Sequence, residues 1–141
     1  MWHVTALITR GDSVEVALTL TTRQAPPVID VTAVPGLPTI YTVHLRDSLS
    51  VQVDIDPGKP GANELHVTFF DAKGKELPVP GAQVNIGLAG EAPTQPRILT
   101  MEPGHFAANV TLKAGTYTVS IFAVPPNGAA LSTQLQIPVG P

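Results

Sequence analysis

The sequence contains no cysteine, and it is poor in aromatic and charged residues. Without cysteine, disulfides, thiolate metal sites and thiol catalysis are excluded. Aromatic residues make up 5% and charged residues 13% of the 141 residues, and the net charge is -3. Proteins that bind nucleic acids usually carry a basic stripe or an aromatic platform. This chain has neither, so we expect no nucleic-acid partner.

Long hydrophobic runs are also lacking. A membrane helix needs about 18 to 20 consecutive apolar residues, whereas the apolar stretch over residues 14–20 is short and interrupted by Glu15. We therefore expect no membrane span within this chain. The N-terminus does not show the basic region and apolar core of a signal peptide. If the protein works outside the cytoplasm, we expect its export signal or anchor to be missing from this sequence.

Proline and glycine are abundant, with 15 and 12 residues respectively. Where they separate short apolar runs, they disfavour helices and favour short strands joined by tight turns. The length is sufficient for one domain with a real core and short for two. These features indicate a single β-rich domain.

Apolar residues alternate with polar residues in short runs from residue 39 onward. One run places Leu49, Val51, Val53 and Ile55 on the same face of a strand. Strands are predicted over residues 39–44, 49–55, 65–69, 84–88, 98–101, 106–112, 117–123 and 131–137. This spacing predicts an all-β fold, an immunoglobulin-like β-sandwich of about seven strands over residues 39–141. A small barrel is the alternative.

The segment before residue 39 is predicted to have two parts. Residues 1–26 form an N-terminal hairpin or arm, because two short strand-like runs flank the turn sequence at residues 10–13. Residues 27–38 are rich in proline and form an extended linker.

Turn motifs follow one another in a defined order in the predicted sandwich. Residues 56–63 read Asp-Pro-Gly-Lys-Pro-Gly-Ala-Asn, and residues 71–74 read Asp-Ala-Lys-Gly. Residues 103–106 read Pro-Gly-His-Phe, and residues 115–117 read Gly-Thr-Tyr. Asp and Asn at such places commonly accept hydrogen bonds from backbone amides. We therefore predict a structural role for Asp56, Asn63 and Asp71, and a core or corner position for Tyr117.

This order of turns and strands resembles the YtkA-like domain, over about two-thirds of the chain from Leu45 to Val139. That domain occurs at the C-terminus of copper-resistance protein D family membrane proteins, and in small lipoproteins and exported proteins. The resemblance implies an immunoglobulin-like sandwich on the periplasmic or outer face of the cytoplasmic membrane. It also implies copper as the bound metal and a copper-transport membrane protein as the partner.

Copper sites that lack cysteine are built from histidine, methionine and carboxylate. Imidazole suits Cu(II), whereas thioether suits Cu(I). The histidine and methionine donors in the sequence are His3, His44, His66, His105, Met1 and Met101. Met101 and His105 flank a tight turn, so their side chains can approach each other, and His66 is predicted on the polar face of its strand. We take His66, Met101 and His105 as candidate metal ligands. The alternative is isolated surface histidines and a methionine that fills a gap in the core.

No catalytic set is recognisable in the sequence. It offers no defensible carboxylate pair, Ser/His/Asp arrangement or phosphate-binding loop, so we expect no catalytic residues and no enzymatic activity. The leading hypothesis is a non-enzymatic, extracytoplasmic module for copper binding, transport or resistance. The alternative is a structural or protein-interaction sandwich with no metal site. Convergence of His66, Met101 and His105 would favour the first, and the sequence leaves the oligomeric state open.

Overall fold

The computed structural model describes the backbone of residues 2–10 and 12–20, and backbone and side chains of residues 25–141. Its described elements are strands and one short 3-10 turn at Arg46–Ser48. The strands are β1 (Trp2–Arg10), β2 (Asp12–Leu20), β3 (Ile29–Thr32), β4 (Ile40–His44), β5 (Ser50–Asp56), β6 (Gly61–Phe70), β7 (Ala82–Leu88), β8 (Leu99–Glu102), β9 (His105–Leu112), β10 (Gly115–Ala123) and β11 (Leu131–Val139).

Two antiparallel sheets enclose one hydrophobic core. The larger sheet has the order β3-β4-β5-β6-β9-β8, and the smaller has the order β11-β10-β7. Alternate residues of the strands other than β3 and β8 are buried between them. The core includes the edge-to-face pair of Phe69 and Phe106, whose ring centroids are 6.2 Å apart. Both sheets keep open edges, so the arrangement is a sandwich and not a closed barrel. The prediction of an all-β sandwich is confirmed.

The two sheets contain nine strands, against the seven or so expected. The strand absent from the prediction is β3, which lies within the segment expected to be a linker. It pairs with β4, and the amide of His44 also donates to the carbonyl of Val28 at 2.9 Å. Residues 29–32 alternate between apolar and polar, but the prolines on both sides of them favoured a linker in the sequence. The domain boundary at residue 39 stays a prediction.

The N-terminal strands β1 and β2 pair antiparallel, from Trp2 opposite Leu20 to Arg10 opposite Asp12. This matches the two short strands expected before residue 23. Met1 and the side chain of His3, two of the donors identified in the sequence, lie outside the described part of the chain.

Asn63 holds the Pro/Gly turn between β5 and β6 together. Its side chain is buried, accepts from the amides of Gly58 (2.8 Å) and Lys59 (3.3 Å), and donates to the carbonyls of Lys59 (2.7 Å) and Gly61 (2.9 Å). Because every polar atom of the side chain is satisfied, Asn63 acts as a structural clamp. The predicted structural role is confirmed for this residue.

Asp71 holds the next turn in a similar way. One carboxylate oxygen accepts from the amides of Lys73 (2.8 Å) and Lys75 (2.9 Å). The amide of Lys75, then that of Lys73, lowers the pKa of Asp71 below its ordinary value, since both hydrogen bonds favour the charged form. Asp71 is therefore also structural, while Asp56 is exposed at the end of β5.

Tyr117 is buried near the start of β10, and its hydroxyl accepts a hydrogen bond from the amide of Lys113 at 2.8 Å. A tyrosine that ties its own strand to the backbone a few residues upstream is a hallmark of immunoglobulin-like domains. The structure thus confirms the predicted corner position. In the described segments there is no helix with the length and hydrophobicity needed to cross a bilayer.

Candidate metal centre

The outer face of the six-stranded sheet carries the polar side chains of its strands. In β5 and β6 the residues with even numbers from 52 to 68 alternate with buried ones, so they point away from the core. The six strands contain three of the chain's four histidines and five carboxylates, at residues 30, 54, 56, 64 and 102. They contain no lysine or arginine. Within these strands, histidines are therefore the only cationic partners for the acidic groups.

The strand register brings His66 and His105 together. His66 on β6 is opposite Ala107 on β9, and His105 is opposite Thr68, so the two histidines are diagonal neighbours on the same face. Long side chains can reach across such a diagonal. Ala107 carries only a methyl group, which leaves room above it for the imidazoles to approach.

The two imidazoles present nitrogen atoms to each other. His66 Nδ1 lies 3.4 Å from His105 Nε2, and the ring centroids are 5.7 Å apart with the planes tilted by 47°. This separation is longer than an ordinary N–H···N or N–H···O hydrogen bond. Two imidazole nitrogens bound at 2.0–2.1 Å to one tetrahedral metal ion would lie about 3.3 Å apart. The pair thus has the spacing of two ligands of a single metal ion.

Two carboxylates flank this histidine pair. Glu64 is two residues before His66 on the same face, and its Oε2 lies 3.8 Å from His66 Nε2. Asp54 on β5 is directly opposite His66 in the register. Burial raises the pKa of Asp54 above its ordinary value; His66 and His105 oppose that rise, and Asp56 and Glu64 add to it.

Met101 lies one strand further out. It is on the edge strand β8, where the pairing shifts between Thr100, opposite Phe106, and Glu102, opposite His105. Met101 is the extra residue of this bulge, and it is 56% exposed. The structure therefore brings His66 and His105 together and leaves Met101 on an exposed edge, separated from β6 by β9.

The third histidine of this sheet, His44, belongs to a different part of it. His44 Nε2 lies 2.7 Å from Asp30 Oδ2, near the β3 edge. Across residues 25–141, no group of three His, Cys, Asp or Glu side chains already converges on one metal position. At the histidine pair two imidazole nitrogens are close together, and a third donor would have to move in to complete a metal site.

No protein family model, curated protein or solved structure matches this chain. The function must therefore be inferred from side-chain geometry and chemistry.

Asp54 and Glu64 were missed by sequence reasoning. A signal for both was present, because β5 and β6 form a hairpin whose register sets Asp54 opposite His66 and Asp56 opposite Glu64. Folding the sequence about residue 60 gives these pairs directly. The pairing of β6 with β9, which unites the two histidines, has no comparable signal, since the segment between the two strands includes β7 and β8.

Proposed function

We propose that this protein is a non-enzymatic β-sandwich module that binds copper, with His66 and His105 as ligands. The observation that carries the proposal is the 3.4 Å separation of His66 Nδ1 and His105 Nε2 on one sheet face. The resemblance to the YtkA-like domain supports copper as the metal, a location outside the cytoplasmic membrane and a copper-transport membrane protein as the partner.

The donor types favour a transition metal. Calcium and magnesium take oxygen ligands, whereas imidazole suits copper, zinc, iron and nickel. Among the divalent ions, Cu(II) binds most strongly to a given nitrogen and oxygen site. A pair of imidazoles flanked by carboxylates is therefore best matched to Cu(II), with Zn(II) as its main competitor.

The position of the pair suits a carrier or receiver of metal. The side chain of His66 is about a quarter exposed, with 26% of its surface accessible to solvent, and the sheet face around it is open. A metal ion held there could be reached by a partner's ligands without unfolding the domain. We infer that the module binds copper and passes it to, or receives it from, another protein.

A structural or protein-interaction role is the second candidate. The observation in its favour is the exposure of large apolar side chains around the edge strand β3. These residues are Val28, Val31, Val34 and Leu37. If this role is the correct one, mutation of these residues to serine will abolish an association that is indifferent to metal.

Calorimetric titration with Cu(II) tests the metal-binding proposal. We expect one ion per chain with a dissociation constant below about 1 μM, or about -8 kcal/mol. His66→Ala and His105→Ala should each abolish this binding, because one imidazole alone cannot hold the ion at that affinity. His44→Ala is the matched control, since His44 lies on the same sheet but pairs with Asp30. Binding that is weak in the wild type, or that survives both ligand variants, contradicts the proposal.

A further inference from the structure

Asp54 is the carboxylate best placed to join the histidine pair, because it is half-buried and both histidines act on it, whereas Glu102, which is opposite His105, is exposed. Directly opposite residues on antiparallel strands have Cβ atoms about 4.5–5.5 Å apart, and Asp54 is directly opposite His66. Its short side chain needs only rotation about its own bonds to bring an oxygen toward the imidazoles. Ile40, its neighbour on β4, offers no polar group to compete.

The surroundings leave Asp54 without a cation. The strands of its sheet contain no lysine or arginine. Asp54 is nevertheless half-buried on the sheet. Buried carboxylates are normally paired or bound to a metal ion. The groups of opposite charge that act on it are the two histidines, which are positive only when protonated.

Glu64 lies beside the ring nitrogen of His66 that faces away from His105. His66 turns Nδ1 toward His105 and Nε2 toward Glu64, with Oε2 at 3.8 Å. Metal-binding histidines typically donate their second ring N–H to a carboxylate, which fixes the ring and the tautomer. The arrangement assigns Nδ1 of His66 and Nε2 of His105 to the metal. Glu64 faces the other nitrogen of His66 at ion-pair distance, from which a small rotation would form the orienting hydrogen bond.

Met101 is less well placed than Asp54. Each lies on a strand next to one of the two histidines, β8 beside His105 and β5 beside His66. Asp54 is close enough to both imidazoles for their charges to act on it, whereas Met101 is the unpaired residue of a bulge. Its side chain is more than half exposed. The nature of the third donor matters, because a carboxylate favours Cu(II) and a thioether favours Cu(I).

We propose that Asp54 supplies the third ligand to the metal held by His66 and His105, so that the site selects Cu(II) over Cu(I). This inference rests on the copper site proposed above and replaces Met101 by Asp54 in it. A set of two imidazole nitrogens and one carboxylate oxygen leaves a further position open toward solvent, through which the ion can exchange.

The test measures both copper oxidation states on the full chain. Cu(II) affinity is measured by competition with a chromophoric chelator, and Cu(II) coordination by electron paramagnetic resonance; Cu(I) affinity is measured under a reductant with a Cu(I)-specific chelator. Asp54→Asn should weaken Cu(II) binding at least about tenfold, since even the loss of a group that only hydrogen-bonds to a ligand lowers metal affinity by that factor. It should also change the Cu(II) spectrum and leave Cu(I) affinity unchanged.

Two matched controls separate Asp54 from its neighbours. Asp56→Asn removes an exposed carboxylate on the same strand and face, and Met101→Leu removes the thioether while keeping the bulk. Both should leave Cu(II) affinity and spectrum as in the wild type. Unchanged Cu(II) binding in Asp54→Asn, or weakened binding in Met101→Leu, overturns the inference.

The two levels of the proposal fail in different ways. If His66→Ala and His105→Ala abolish Cu(II) binding and Asp54→Asn does not affect it, the third ligand is wrong and the copper site stands. If the histidine variants bind Cu(II) as the wild type does, the copper site itself is wrong. Should Asp54→Asn not fold, Asp54→Ser removes the carboxylate with a smaller polar side chain. A Cu(II) spectrum unchanged in Asp54→Ser overturns the inference, and a changed one supports it.

Discussion

His66 Nδ1 faces His105 Nε2 across 3.4 Å, although the two residues are 39 positions apart in the chain. Their proximity is a consequence of antiparallel pairing between β6 and β9, which sets Thr68 opposite His105 and His66 opposite Ala107. The backbone that presents both side chains belongs to central strands of the larger sheet, with neighbours on either side. A site on such strands is held more rigidly than one on a loop.

Glu64 is expected to act through His66 and not as a ligand itself. Glu64→Gln should weaken Cu(II) binding about 10- to 100-fold, the range usual for groups that orient a metal-binding histidine. The electron paramagnetic resonance spectrum should keep the same donor set, because no ligand atom is removed. Glu91→Gln is the matched control, since Glu91 follows β7 of the smaller sheet and pairs with Lys113 at 3.2 Å. A change of donor set in Glu64→Gln would make Glu64 a ligand and contradict this assignment.

The strands of the sandwich follow from local pattern, because burial of one sheet face imposes a period of two on each strand. The run from Leu49 to Ile55 shows that pattern, and β5 is found there. The strand β3 was not predicted, although its four residues alternate between apolar and polar. The prolines on either side favoured a linker, and its residues are mostly exposed, so no buried face distinguishes them.

The site was only partly predictable from the sequence. His66 and His105 could be identified as donors by residue type, but their meeting depends on the register between strands that are distant in the chain. Met101 was chosen because it flanks the turn before His105. Its actual position depends on a bulge in β8, and no local sequence pattern predicts that bulge. Asp54 and Glu64 were overlooked because residue type alone does not distinguish a carboxylate beside a histidine from one that only contacts water.

Gly104 is expected to be indispensable for the approach of β9 to the rest of the sandwich. It has φ of +93°, a conformation that L side chains rarely adopt, and an added Cβ would overlap the carbonyl oxygen of Leu77. Its amide donates to Val79 and its carbonyl accepts from Phe69, both at 2.9 Å. Gly104→Ala should therefore lower the free energy of unfolding by about 2–4 kcal/mol.

The same change should also weaken Cu(II) binding, because Gly104 immediately precedes His105. Gly81→Ala is the matched control, since a Cβ there has nothing within 4 Å and φ is not in the left-handed region. Urea unfolding of both variants measures the effect on stability. Equal stability of the two variants would show that β9 can shift to accommodate the methyl group.

Asn63 is expected to contribute strongly to stability through the turn it clamps. Asn63→Ala removes the acceptor for two amides and the donor for two carbonyls, in a place that is only 5% exposed. Buried groups left without a partner cost about 1–3 kcal/mol each where water cannot replace the bond. We expect a loss of about 2–4 kcal/mol in the free energy of unfolding, measured in urea.

An exposed asparagine supplies the comparison for that measurement. Asn109→Ala changes the same side chain on the outer face of β9 and should alter stability by less than about 0.5 kcal/mol. If the two variants lose the same stability, the turn does not depend on the hydrogen bonds of Asn63.

Asp71 is expected to make stability depend on pH in the acid range. Its pKa in the folded protein is lowered below the ordinary value of 3.8, because its carboxylate accepts from the amides of Lys75 and Lys73. In the unfolded chain the carboxyl group binds its proton at higher pH than in the folded one, so protons bind preferentially to the unfolded state. The stabilisation is therefore complete above the unfolded pKa and is lost as pH falls through the folded pKa.

Asp71→Asn keeps the size of the side chain and removes the charge. The difference in urea-unfolding free energy between wild type and variant should be largest near neutral pH and should shrink as pH falls below 3.8. A difference that stays constant across that range would mean that the charge of Asp71 plays no part in holding the turn.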